Sequence, residues 1–231
     1  MLGYRLPAPL AQYTVMALAQ PTKIPHLRKP AHLEAGDTIA LLAPASPPLS
    51  TSILPMARRM FEKAGFSVVT GKSAGDRNGF LAGSDAARAK DLNAAFRSRK
   101  VRAIVCLRGG HGVTRILGKL DFTALRKDPK IIVGCSDISA LLAGALTQAG
   151  VPGLHGPMPQ SLCAPEAPPY SLVRLLDALR RGELSTGSIL EGYDEPGSAI
   201  ETLRRGRATG HIIATNLAIL LSLIGTPFFP S

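Results

Sequence analysis

The stretch KIIVGCSDISALLAGAL, residues 130–146, runs an apolar strand into a helix and sets Cys135 and Ser136 side by side at the junction. A serine at a strand–turn–helix junction can act as a nucleophile, because the next backbone N–H lies free at a helix N-terminus and can stabilise an oxyanion. The G-x-S-x-G elbow of α/β-hydrolases needs small residues two before and two after the serine. Gly134 meets the first requirement and Ile138 breaks the second. The local pattern therefore leaves two roles open for Ser136: nucleophile or, together with Asp137, helix N-cap. Cys135 alternates with Ser136 along the strand, so its expected place is the packed core.

A second group surrounds the loop RGGHG, Arg108 to Gly112. Its glycines allow positive φ or close backbone approach. The loop fits neither G-x-G-x-x-G nor G-x-x-x-x-G-K-[ST], so a nucleotide-binding role is the weakest alternative. As the second half of an oxyanion hole, supplied by a neighbouring strand, it is geometrically natural. His111 in this loop and His155 in LHGPM are candidates for a base, each with a structural histidine as its alternative, and neither spacing imposes proximity to Ser136. His26, His32 and His211 lie in tail or turn-like contexts. Arg108 offers a bidentate clamp for a substrate carboxylate or, alternatively, a structural ion pair.

These residues need a scaffold. From Thr38 the sequence alternates apolar runs (TIALLAP, FSVVTG, VRAIVCL, KIIVGC and a last strand around VPGLHGP) with helix-period segments. Strands apolar at consecutive positions belong to a parallel sheet covered on both faces. The fold class is α/β: a doubly wound, mostly parallel sheet of about five strands, followed by the start of a smaller β-rich unit. Ser84 and Asp85 are expected to cap one helix, with Leu92, Ala95 and Phe96 as its apolar stripe, and Gly65 to stop the preceding helix. RGGHGVTRILGKL reads as a glycine loop feeding a helix. The expected division is a leader over 1–32, a nucleophile domain over 33–158, a proline-rich linker and helix over 159–196, and a second unit from 197 to 231. In that last part LAILLSLIG is apolar on nearly every face and is expected to be buried on all sides, in a domain that is incomplete or completed by another chain.

The bulk properties narrow the classes. A length of 231 residues suffices for a sizeable core. The 3 cysteines, Cys106, Cys135 and Cys163, form neither a disulfide framework nor metal-ligand spacing, which fits a reducing, cytoplasmic compartment. The net charge of +11 is spread along the chain with few aromatics, so no nucleic-acid partner is expected. The opening residues lack a secretory signal pattern, and no apolar run reaches the roughly 20 residues of a membrane span.

Taken together, GDTIALLAPASP, FLAGSDAARAKDLNAAFRSRKVRAIVCLRGGHGVTRIL, DPKIIVGCSDISALL and LHGPM resemble the L,D-carboxypeptidase family, the muramoyltetrapeptide carboxypeptidases and their microcin-immunity relatives. The likeness resumes at ETLRRGRATGHIIATNLAILLSLIGTPFFP. It implies a cytoplasmic serine peptidase, often dimeric, that removes the terminal D-alanine from murein tetrapeptides without metal or cofactor. The family's serine carries over to Ser136, and its oxyanion donors to the backbone N–H groups of Asp137 and Gly110. The family's triad Glu and His lie beyond its GTPFFP-like segment, so the sequence as it stands is expected to be impaired, or a muropeptide-binding remnant. His111 replaces the family's usual Tyr, and ATNL at 214–217 replaces GGNL.

Overall fold

The computed structural model describes residues 24–181, 203–207, 209 and 212–230. Five parallel strands, β1 (Thr38–Leu42), β2 (Ser67–Thr70), β3 (Val101–Cys106), β4 (Ile131–Gly134) and β5 (Leu154–His155), form one sheet in the order β2-β1-β3-β4-β5. The helices are α1 (Ile53–Lys63), α2 (Asp85–Arg97), α3 (Phe122–Lys127), α4 (Ser139–Gly144), α5 (Pro159–Leu162), α6 (Pro169–Arg181) and α7 (Leu217–Ser222).

Alternation along each strand explains why the strands are apolar throughout. Ala40, Leu42, Ile104, Cys106 and Ile132 enter one core with Leu92, Ala95 and Phe96 of α2 and Leu141 of α4. Ile39, Leu41, Val105 and Val133 enter the other core with Phe61 of α1 and Leu175 and Leu179 of α6. Each fully buried large apolar side chain contributes about 1.5–3 kcal/mol, so a sheet packed on both faces is the dominant stabilising feature.

Helix boundaries follow from capping. The Ser84 hydroxyl accepts the Ala87 N–H at 3.1 Å and starts α2. Gly65, at φ 88°, ends the first helix as expected of a left-handed stop. Asp121 starts α3 by accepting the Ala124 N–H at 3.0 Å.

One expectation is corrected. No helix follows the RGGHG loop directly; turns lead to a 3₁₀ turn over Leu117–Lys119, and α3 begins only at Phe122. Gly118 weakens helix propagation there, and Asp121 supplies a fresh cap. Separately, the apolar LAILLSLIG is only partly covered among the described residues: no residue of α7 is buried, and Leu217 and Leu221 are 67% and 54% exposed. It packs against α4 on one side, and Leu223 tucks into the first core. The proline-rich stretch after 158 opens with α5, and Leu175 and Leu179 of α6 pack into the second core.

The turn from β4 to α4 leaves no room for a side chain at 134. A Cβ on Gly134 would lie 2.6 Å from Ile138 Cγ2. Gly134→Ala is therefore expected to cost about 1–3 kcal/mol by overpacking, and Ile138→Ala about 2–5 kcal/mol by leaving a cavity. Urea unfolding of the double variant should show a loss smaller than the sum. A fully additive loss would remove the contact as the explanation.

Candidate active site

Three loops meet at the C-terminal end of the sheet, where open parallel sheets place their chemistry. They follow β1, β3 and β4. The third carries Ser136, exposed at the start of a 3₁₀ turn over Ser136–Ile138. Its φ is 59°, and it is the one non-glycine residue with positive φ among the described residues. A left-handed serine costs about 1–3 kcal/mol and persists only where surrounding structure enforces it. Here the enforcement is visible: Ile138 packs over Gly134 on one side, and Gly109 abuts the serine on the other. A Cβ on Gly109 would lie 3.0 Å from Ser136 Cβ and 3.2 Å from its Oγ. Ser136 does not cap the helix that follows; no side chain caps either the 3₁₀ turn or α4.

The glycine loop after β3 is seated on the loop after β1. Ser46, buried, donates its N–H to the Gly109 carbonyl at 3.1 Å, and its Oγ accepts the His111 N–H at 3.3 Å. Gly110, at φ 106°, sits so close to Ser46 that a Cβ would fall 2.2 Å from the hydroxyl. Among the described residues the N–H groups of Gly110 and Asp137 have no acceptor within the protein. Two such donors on loops flanking one hydroxyl form an arrangement suited to a developing oxyanion.

Asp137 turns its side chain the other way. It is buried, 3% exposed, and Oδ2 accepts the Val113 N–H at 3.0 Å. Burial pushes its carboxyl up from the ordinary value of 3.8, against the lowering effects of the Val113 N–H, His111 and Arg88. Cys135 is half-buried against the first core, and burial pushes its thiol up as well. That is the environment of a packed thiol rather than an activated nucleophile.

The remaining sequence candidates fall into place without forming a base. His111 is exposed, with its ring 5.9 Å from that of Phe80 in an edge-on contact. His155, also exposed, lines a cavity of about 980 Å³ beside the edge strand β5, as does His26. His32 is exposed near the start of the described chain, and His211 lies outside the described residues. Among the described residues nothing hydrogen-bonds Ser136 Oγ. Arg108 is half-buried, and its Nη1 donates to the Pro47 carbonyl at 3.0 Å, so its structural partner is a backbone oxygen rather than a carboxylate. No group of three or more His, Cys, Asp or Glu arranged for a metal ion occurs among the described residues. No helix among them is long and apolar enough to cross a membrane.

Sequence reasoning missed two contributors. Ser46 lies in APASPP, where only its place after a strand hinted at a site. Arg88 lies within the helix-period pattern of α2, and its one signal was a charge among residues of the apolar face.

Two measurements follow from this geometry. Ser136→Gly is expected to raise the unfolding free energy by about 1 kcal/mol, because glycine tolerates the left-handed turn. A loss of similar size in urea unfolding would refute strain at 136. Asp137→Asn is expected to raise Tm at neutral pH. With its folded pKa raised, Asp137 contributes stability in full below 3.8, and that contribution is lost as pH climbs through the folded value. The advantage of the Asn variant should therefore shrink to nothing below that pH, and a pH-independent difference would reject the assignment.

A profile of the LD-carboxypeptidase N-terminal domain matches residues 39–156, which span β1 to β5 and all three loops. The "Probable murein peptide carboxypeptidase" of Bacillus subtilis is 35% identical over 205 residues, covering 87% of this chain and 60% of that protein. The murein tetrapeptide carboxypeptidase of Pseudomonas aeruginosa is 33% identical over 192 residues, covering 81% and 60%. The crystal structure of an MccF-like protein from Bacillus anthracis superposes with a TM-score of 0.72 at 27% identity, over 87% of this chain and 66% of that one. The chain thus spans about 60% of the length of those two curated relatives. On the profile match across the whole sheet, this chain belongs to the LD-carboxypeptidase family.

Proposed function

We propose that this chain carries the nucleophile and oxyanion hole of a serine-type L,D-carboxypeptidase acting on murein tetrapeptide in the cytoplasm. The observation that carries this reading is Ser136: exposed, forced into a left-handed turn, and flanked by loops with unused N–H donors at Gly110 and Asp137. The family membership and the names of the relatives support the substrate class.

In the proposed reaction Ser136 Oγ attacks the carbonyl carbon of the bond to the terminal D-alanine. Its proton passes to a base and from there to the leaving amine. The charge that develops on the carbonyl oxygen is received by the Gly110 and Asp137 N–H groups. Water then attacks the acyl-enzyme, restores the serine and frees the tripeptide. Arg108 is proposed to receive the terminal carboxylate through the N–H groups not used on Pro47. Neither metal nor cofactor has a step in this scheme. No described residue is assigned as that base, and a homodimer is part of the proposal.

One observation favours a second reading, muropeptide binding without turnover: Ser136 Oγ has no hydrogen-bond partner among the described residues. Without a base, oxyanion stabilisation and binding retain on the order of 10³–10⁴-fold over water. Incubating the purified chain with murein tetrapeptide and quantifying D-alanine separates the two. The expected result is slow release lost in Ser136→Ala. Undiminished release by that variant would end the serine reading, and tight binding with no release would establish the second.

A further inference from the structure

Arg88 and Asp137 are the two buried charges near the candidate site, and they meet the same peptide group. Arg88 is 1% exposed and lies on the buried face of α2. Its Nη1 donates to the Gly112 carbonyl at 2.9 Å. Asp137 Oδ2 accepts the N–H of Val113 at 3.0 Å. That carbonyl and that N–H belong to one planar amide, so a buried cation grips its oxygen and a buried carboxylate its nitrogen. Both interactions polarise the amide in the same sense and reinforce each other.

We propose that Arg88 and Asp137 form a charged clamp on the Gly112–Val113 peptide, and that the clamp fixes the glycine loop with its donor N–H groups beside Ser136. The inference rests on the oxyanion-hole reading above and names the residues that set it. The loop needs such a device. Gly110 and Gly112 have φ values of 106° and 114°, conformations that glycine reaches freely and therefore does not hold by itself. Clamping the amide between 112 and 113 stops that freedom at one end, while Ser46 fixes the other through Gly109 and His111.

Arg88 also ties the clamp to the scaffold. Nη1 is shared with the Pro44 carbonyl in the loop after β1, and Nη2 pairs with Asp85. Asp85 in turn accepts from Arg115 Nε at 3.0 Å, beyond the far end of the glycine loop. A Cβ at Gly112 would lie 2.5 Å from Leu81 Cδ2 and 3.0 Å from Arg88 Nη1, so the peptide is gripped with no slack. Arg88 Nε is the one buried side-chain polar atom without a partner among the described residues. Nη1 is thus committed to two loops and Nη2 to Asp85 at the start of α2, while Nε is left without a partner.

The test uses the full chain and four variants: Arg88→Met, Arg88→Lys, Asp137→Ala and Asp137→Asn. Asn retains an acceptor for the Val113 N–H, and Ala does not. Hydrogen exchange resolved over 109–113 should accelerate by about tenfold in Asp137→Ala and Arg88→Met, with β3 and β4 still protected. Asp137→Asn should restore protection to within about threefold of the parent. Arg88→Lys, which keeps the charge but loses the fork, should fall between, and it stands in if Arg88→Met does not fold. Unchanged exchange over 109–113 in Asp137→Ala, or equal loss in the Asn and Ala variants, overturns the clamp whether or not the chain turns over tetrapeptide.

D-alanine release gives the second readout. In Asp137→Ala kcat should fall by about 10²-fold with KM nearly constant, as when an oxyanion donor is lost. Asn should recover most of it. A kcat that survives while loop protection is lost would overturn the positioning role. An absence of release from the parent chain counts against the proposed function and leaves the exchange data to decide the clamp.

Discussion

The site depends on glycine backbone approaching neighbouring side chains more closely than a Cβ would allow. At Gly110 against Ser46 and Gly134 against Ile138 a single methyl group would collide, and at Gly109 against Ser136 it would fit only if the serine gave way. These close approaches let three loops from adjacent parallel strands converge on one hydroxyl. The sheet order makes the convergence available, because β3 lies between β1 and β4 and its loop is reached from both sides. The same closeness imposes the left-handed turn at Ser136, since the hydroxyl must rise over Gly109 while Ile138 closes over Gly134. The two apolar cores provide the stability against which such local strain can be maintained.

Buried charge separates the two ends of the molecule. At the end opposite the site Lys130 is fully buried, yet its ammonium is satisfied by the Ser98 carbonyl at 2.8 Å and by the Asp128 carboxylate. That pair joins the start of β4 to the end of α2 and has the character of a structural bond. Arg88 and Asp137 differ. Arg88 leaves Nε without a partner, and burial outweighs the groups that favour Asp137 in its charged form. Charges left partly uncompensated lower stability, which is what a group placed for geometry rather than for folding is expected to do.

Much of this was legible in the sequence, for physical reasons. Strands buried on both faces must be apolar at consecutive positions, so TIALLAP and VRAIVCL announced a parallel sheet directly. Ser84 and Gly65 marked helix ends because few residue types serve those positions. The G-x-S junction was readable for the same reason, although Ile138 broke the hydrolase pattern and proved to be the residue that closes the turn. What could not be read were contacts distant in sequence. Nothing near Arg88 reveals that it reaches Gly112, 24 positions away. The helix expected after the glycine loop failed because local periodicity was outweighed by Gly118 and the Asp121 cap. For α7 the apolar composition states a demand for burial without stating what meets it, and among the described residues it is met on one side only.

The unfavourable features are also concentrated. Among the described residues the one non-glycine positive φ, the one unpartnered buried side-chain nitrogen and the carboxyl raised by burial belong to residues that lie in, or reach into, these converging loops. Elsewhere capping, alternation and core packing agree with one another, as expected of a chain whose levels of organisation are consistent. Random imperfection would scatter strain over surface turns, where relief by substitution is easiest. Strain gathered around one exposed hydroxyl, and braced from two sides by buried charge, indicates selection for geometry at that point.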